Sequence, residues 1–335
     1  MSEIIIQNLL SPVVLFFVLG LLAAMFKSDL KFPNGLSEGL SIYLLIAIGL
    51  KGGIELSQYS LHSVIRPIIA TLLIGAIIPF IILFIMRLMK MDFKNSIGLA
   101  ATYGSISIVT YGAAISFLDS NGTDYEGFMN AMVVLMESPA ILVSIFLMKI
   151  IEKNKTTLNV PTHSIGFVPA SIKLFDKKVI RESLFGKSIL LLLGSLLIGL
   201  ALGEEIIPMV KPLFMDLYYS VLILFLLNMG LIAGQRLPEV RQHGVKLLIF
   251  GLSTPLFLGT LGVYIGSFTG LSLGGATLMG VLAGSASYIA APAALKTSVP
   301  EANPSIYLGL SLGVTFPLNL IIGIPLYYEI AKLLN

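Results

Sequence analysis

Cysteine is absent from the 335-residue chain, which excludes a disulfide framework, a thiolate nucleophile and a zinc–thiolate cluster. Histidine is scarce. His62, His163 and His243 lie apart in loop-like stretches without metal-ligand spacing, and no His-Glu-x-x-His occurs. Charge is scarce as well: charged residues make up 12% of the chain, against about 25% in a soluble domain. The chain therefore lacks the polar surface needed to live in water, and no stretch is left over that reads as a soluble domain. The N-terminal stretch carries Glu3 and no basic segment ahead of its apolar run. It reads as the lead-in to a first membrane span, not as a cleaved signal peptide.

What is present is apolar length. Hydrophobic residues reach 56% with a mean hydropathy of +0.95. Apolar runs long enough to cross a hydrocarbon core of about 30 Å recur throughout. Ten spans are predicted, at 9–26, 37–56, 64–89, 95–118 and 127–150, then 185–203, 214–234, 244–268, 272–298 and 304–332. A polar, lysine-rich linker at 151–184, interrupted by Pro161 and Pro169, separates residues 1–150 from residues 185–335. Its Ile172, Leu174, Phe175, Val179 and Ile180 suit a short surface helix. With the N-terminus outside, seventeen Lys and Arg fall on the inner side and three on the outer, with Lys51 inside a span. That bias predicts a multi-pass protein of the cell membrane with both termini extracytoplasmic and the linker cytoplasmic.

Gly104-Ser105-Ile106-Ser107-Ile108 recurs 180 positions later as Gly284-Ser285-Ala286-Ser287-Tyr288. A Gly-Ser-x-Ser break inside a span leaves backbone groups unpaired, and these must be buried in protein or line a cavity. Further pairs keep the same order: Gly20 with Gly199, Gly49 with Gly230, Gly112 with Pro292 and Pro139 with Pro317, at offsets of 178 to 181. Five helices per half is an odd number, so the second half enters the membrane from the opposite side. The predicted fold is an all-α polytopic membrane protein, two inverted five-helix repeats whose fourth and ninth helices are broken. Half-helix N-termini facing one midplane point suit a small anion, and unwound carbonyls suit a sodium ion or a proton donor. Small residues that let helices approach closely are the structural alternative for one copy; two copies in register favour a binding site.

Glu137 and Lys51 lie within predicted spans, where charge is costly and usually functional. Glu137, just before Pro139, is a candidate for the ion site or a proton relay. Lys51, between glycines, suits neutralising a carboxylate or leaning to the interface. Asn228 and Asn319 are candidates for supporting the broken helices, with plain packing as the simpler reading.

The segment Ser298-Val299-Pro300-Glu301-Ala302-Asn303-Pro304-Ser305-Ile306-Tyr307-Leu308-Gly309, then Gly323-Ile324-Pro325-Leu326, extends a pattern begun by Gly284-Ser285-Ala286-Ser287. Together with Gly49-Leu50-Lys51-Gly52-Gly53 and Glu137-Ser138-Pro139-Ala140, it resembles the sodium-dependent bicarbonate transporter family first recognised in cyanobacteria. The resemblance implies core and gate domains, sodium-coupled bicarbonate uptake, a homotrimer and no cofactor beyond sodium as coupling ion. A PII-like regulatory partner is implied only weakly, because the central loop is short. Residue by residue, Ser107 and Thr110 match polar positions in the family's first break, and Ser285 and Ser287 match serines in its second; with the break residues Gly104, Ser105, Gly284 and Tyr288 they make the candidate anion site. The resemblance assigns the cation to Ser107, Thr110, Ser287 and Glu137, the last standing where the cyanobacterial proteins have an aspartate. The chain departs from the pattern at Tyr288, where the family has an aspartate, and at Val109, Ala286 and Ala290, where it has serines. A phenol donates one hydrogen bond and is a poor substitute for a carboxylate beside sodium. The expected function is secondary transport of a small anion by alternating access, bicarbonate first. A different small anion or proton coupling are the alternatives, and a channel or an intramembrane enzyme explains the paired breaks less well.

Overall fold

Side-chain caps open the helices where the sequence supplies Ser, Asp or Asn ahead of an apolar run. Ser11 accepts from the Val14 N–H, Asp92 from Asn95, Ser107 from Thr110, Ser272 from Gly275 and Asn303 from Ser305. The computed structural model describes residues 2–33, 35–158, 186–242 and 244–335. Among these, all regular structure is helical: α1 (Ser2–Leu9), α2 (Pro12–Met25), α3 (Leu36–Ser57), α4 (Leu61–Leu88), α5 (Phe93–Gly104), α6 (Ile108–Ser120) and α7 (Met129–Leu158). Then follow α8 (Lys187–Leu202), α9 (Tyr218–Gln242), α10 (Val245–Phe268), α11 (Leu273–Gly284), α12 (Ala290–Ser298) and α13 (Pro304–Leu334). Most of the predicted linker lies outside the described residues; α7 runs into its start, to Leu158.

Seven of the helical segments are long and apolar enough to cross a membrane, as a polytopic membrane protein requires. Three features separate this number from the ten predicted spans. The predicted first span begins late, because Ser11 caps and Pro12 starts a helix of only 14 residues. The ninth is interrupted at its break after the 12 residues of α11. The sixth and seventh lie in one apolar segment, Lys187–Arg236, which turns at Gly203 (φ +54) through a short 3-10 helix.

Burial sorts these helices into two kinds. In the apolar 18-residue stretch of each, 94% of the residues are buried in Phe93–Ser120, against 33% in Leu61–Leu88 and 28% in Lys187–Arg236. The outer helices turn Phe80, Phe84, Leu197, Phe257 and Tyr264 outward, as lipid-facing surfaces do, and wall off the broken segment. A break there never meets hydrocarbon.

Two helix pairs dominate the packing, α2 with α9 and α3 with α8, and both run parallel on glycine. A Cβ at Gly20 would lie 2.9 Å from the Leu231 nitrogen, and one at Gly230 would lie 2.9 Å from the Leu21 nitrogen. In the other pair the distances are 2.7 Å from Gly53 to the Leu200 nitrogen and 3.0 Å from Gly199 to the Ile54 nitrogen. The same backbone-on-backbone contact is therefore made twice. By these contacts the counterpart of Gly230 is Gly53, one turn along from Gly49, with which the sequence pairs it. Glycine spacing of four let the alignment slip by a turn. Replacing Gly53 or Gly230 by Leu forces these backbones apart, and we expect a loss of roughly 1–3 kcal/mol or more, read as a lower unfolding temperature of the purified protein in detergent.

Candidate functional site

Both expected breaks are present, and their geometry is matched. α5 and α11 have 12 residues each and end on a glycine. The serine that follows is extended in both, with φ −89, ψ 169 at Ser105 and φ −89, ψ 168 at Ser285. Each terminal glycine is wedged. A Cβ on Gly104 would stand 2.8 Å from the Ala140 Cβ and 2.9 Å from Pro79; one on Gly284 would stand 2.8 Å from the Pro255 carbonyl oxygen and 2.9 Å from the Gly259 Cα. Glycine is required at both places by close approach.

The two breaks touch. The Ser287 N–H donates to the Thr102 carbonyl (2.8 Å), and the Ser107 N–H donates to Ser285 Oγ (3.0 Å). Ser285 Oγ in turn lies 3.4 Å from the Leu282 carbonyl, to which it donates. One crossing is thus a direct backbone bond, and the other passes through a serine hydroxyl. Around α6, Ser107 Oγ accepts from the Thr110 N–H (3.1 Å) and from Thr110 Oγ1 (2.8 Å). The Tyr111 N–H is taken by the Ser107 carbonyl (3.0 Å). The N–H groups of Ile108 and Val109 are left with no acceptor inside their helix. At α12, Ser287 Oγ accepts from the Ala291 N–H (3.2 Å).

Ser105, Ser107, Thr110, Ser285 and Ser287 are all buried, and the structure brings them together with Gly104 and Gly284. Ser105 Oγ and the Tyr288 hydroxyl have no hydrogen-bond partner, although Tyr288 faces Ser107. The Tyr288 ring is held edge-on to Phe316 (centroids 5.5 Å apart), which meets Phe17 of α2 at 5.1 Å. Tyr288, Ile289 and Ala290 line a cavity of about 1010 Å³. Ser37 and Glu38 of α3, Lys187 of α8 and Arg236 of α9 also line it. Lys187 and Glu38 are ion-paired at this end of the bundle. The arrangement offers helix N-termini and hydroxyl protons to an anion, and the last carbonyls of α5 and α11 to a cation.

Glu137 is placed differently. It is buried on α7, makes no hydrogen bond to a break residue, and leaves Oε2 unpartnered. Asn319 does support a break: its Nδ2 donates to the Gly284 carbonyl (2.8 Å). Tyr327 Oη lies 2.8 Å from Asn319 Oδ1 and 2.9 Å from the Pro255 carbonyl, sharing its one proton between them. The Asn228 Nδ2 is buried without a partner, and Lys51 is partly exposed on α3. Sequence reasoning missed Thr102, which contributes only its carbonyl, and Thr315, which meets the Tyr103 hydroxyl (2.7 Å) and the Gly251 carbonyl (2.9 Å). A backbone acceptor has no side-chain signature. Thr315 sits in the first of two π turns in α13, Ser311–Thr315 and Asn319–Gly323, which no local residue choice announces.

The asymmetry of the crossing is testable. Ser285→Ala strips the Ser107 N–H of its acceptor, and we expect it to cost about 1–3 kcal/mol. Ser105→Ala removes a buried hydroxyl that holds nothing, and we expect it to be neutral or stabilising. Thermal unfolding of the two variants in detergent measures the contrast; equal losses would contradict it.

No curated protein matches the chain. The family model of the Na+-dependent bicarbonate transporter superfamily matches residues 12–332, a range that includes both breaks, the cavity walls and Glu137. The chain belongs to the Na+-dependent bicarbonate transporter superfamily.

Proposed function

We propose that the protein is a secondary active transporter that imports bicarbonate with sodium by alternating access. The carrying observation is the pair of touching breaks, the second of which reaches a cavity at Tyr288. In this reading the ten spans form two inverted five-helix repeats, residues 1–150 and 185–335. The repeated glycine contacts and the matched ψ values at Ser105 and Ser285 support it. Parallel packing of α2 on α9 and of α3 on α8 is also what inverted five-helix halves require. α2, α3, α8 and α9 make the gate, and the helices around the breaks make the core.

The anion sits against the N-termini of α6 and α12, with Ser105, Ser107, Ser287 and Tyr288 as hydroxyl donors and with Thr110 and Ser285 shaping the breaks beside it. Sodium sits beside it on Ser107, Thr110, Ser287 and nearby carbonyls, with Glu137 as the embedded acid on the cation side. The Lys187 and Arg236 end is cytoplasmic by the distribution of basic residues, so the cavity is an inward-facing vestibule and the cargo leaves through it. Arg236 and Lys187 then give that exit a cationic wall that favours an anion. Assembly as a homotrimer and contact with a PII-like partner are extensions of the family reading and carry no weight in it.

Liposomes holding the purified protein provide the test. Labelled bicarbonate is expected to accumulate when sodium is imposed outside and not when sodium is equal on both sides. Ser107→Ala/Ser287→Ala protein is expected to lose roughly tenfold or more of that uptake, a deficit of about 1.4 kcal/mol or more per turnover barrier. Uptake indifferent to sodium, or unchanged in the double variant, overturns the coupled site. Sodium-driven uptake of another small anion, with none of bicarbonate, keeps the architecture and replaces the cargo.

A further inference from the structure

One end of α9 faces the cavity and the other end closes on α6. Phe225, Met229, Ile232 and Arg236 line the cavity. Tyr218, Tyr219 and Leu222 occupy the far end, with Tyr219 about 25 Å from Arg236 along the helix axis. α6 starts at the first break and runs 13 residues away from it, to Ser120. The two helices meet at Gly112, which leaves a notch in α6 that α9 fills. A Cβ at Gly112 would stand 2.6 Å from the Tyr218 hydroxyl and 3.3 Å from the Leu222 Cδ atoms. Leu222 is fully buried. Nearer the surface, the Tyr219 hydroxyl donates to the Asp119 carboxylate.

Each side of this closure is braced to its own neighbours. On the α6 side, Phe117 lies edge-on to Tyr328 of α13 (centroids 5.4 Å apart), and the Tyr328 hydroxyl meets Thr123 Oγ1 at 3.2 Å. On the α9 side, Tyr43 of α3 stacks on Phe214 at 5.5 Å and donates to the Leu213 carbonyl, just ahead of α9. Between the two braced sides run the Asp119–Tyr219 bond and the side chains seated on Gly112.

The closure is also imperfect. The hydroxyls of Tyr111 and Tyr218 are buried without a hydrogen-bond partner, and Tyr125 lies within electrostatic reach of both. A buried donor left unpaired costs free energy that water returns once it is exposed. Shut, the contact keeps the Tyr219 bond and buries Leu222; open, it satisfies two phenols. Opposed terms of this kind give a contact two accessible states.

We propose that this contact is the gate on the side away from the cavity, latched by Asp119 and Tyr219 and seated on Gly112. It parts when the carrier opens to the other face, and cargo then passes Tyr111 and Tyr218, whose freed hydroxyls can donate to an oxyanion. This rests on the transport reading above, in which α6 belongs to the core and α9 to the gate.

The chain has no cysteine, so one introduced thiol reports one place. Leu222→Cys reports the closure, and Ala293→Cys reports the cavity, which Ala293 lines. Protein in lipid nanodiscs leaves both faces open to a bulky maleimide. Tyr219→Phe is expected to raise Leu222→Cys labelling roughly tenfold, as loss of a hydrogen bond to a carboxylate implies. Gly112→Ala, which displaces the Tyr218 hydroxyl, should raise it as well. In both backgrounds Ala293→Cys labelling should fall by the fraction of molecules that switch. Asp119→Ala added to Tyr219→Phe should do no more than either change alone. Unchanged Leu222→Cys labelling overturns the gate, and so does a rise at both positions, which reports loosening in place of switching. Uptake of labelled bicarbonate by liposomes is scored separately. Absent uptake with labelling rates that still move in opposition refutes the cargo and leaves the gate standing.

Discussion

Backbone amides and carbonyls at membrane depth must find partners inside the protein, and the rest of this structure depends on how that demand is met. Each break is satisfied largely by the other: Ser287 on Thr102, and Ser107 on Ser285. Neither crossing forms unless both breaks lie at the same depth and in contact. Everything around them serves that contact. The wedges on Gly104 and Gly284 set the approach of neighbouring helices, and Asn319 takes the Gly284 carbonyl that α11 leaves unpaired. Lipid-facing helices keep hydrocarbon away.

The match between the two breaks is close but incomplete, and the differences lie where chemistry is expected. A hydroxyl stands between Ser107 and Leu282, whereas Ser287 reaches Thr102 directly. Ser107 caps α6, whereas the residue ahead of α12 is Ile289, which makes no side-chain cap. Ser105 keeps an unused hydroxyl, and its counterpart Ser285 is spent on structure. Two copies of one scaffold thus present two unlike faces, as is needed if an anion and a cation are to be held side by side. Tyr288 adds a phenol, which favours donating a hydrogen bond over coordinating a metal ion.

Much of this was legible in the residues because membrane physics leaves few choices. Apolar length located the seven segments long enough to cross a membrane, and repeated Gly-Ser-x-Ser located both breaks to the residue, since unwinding inside a span demands small residues at fixed places. Other features were illegible for equally physical reasons. The register of the glycine seams slipped by one turn because glycines recur at spacings of four along α3. The π turns of α13 and the Thr102 carbonyl depend on tertiary packing, and no local sequence encodes them. Glu137 was visible as a charge within a span, but its burial with Oε2 unpartnered is a property of the packed helices around α7.

The glycine seams join helices from opposite halves of the chain: α2 closes on α9 and α3 closes on α8. During synthesis, α2 and α3 enter the bilayer well before their partners exist. Gly20, Gly49 and Gly53 then present bare backbone grooves with nothing matched to fill them. Lipid must occupy those grooves and be expelled later, when α8 and α9 arrive. The second half therefore completes the first as a template-directed insertion.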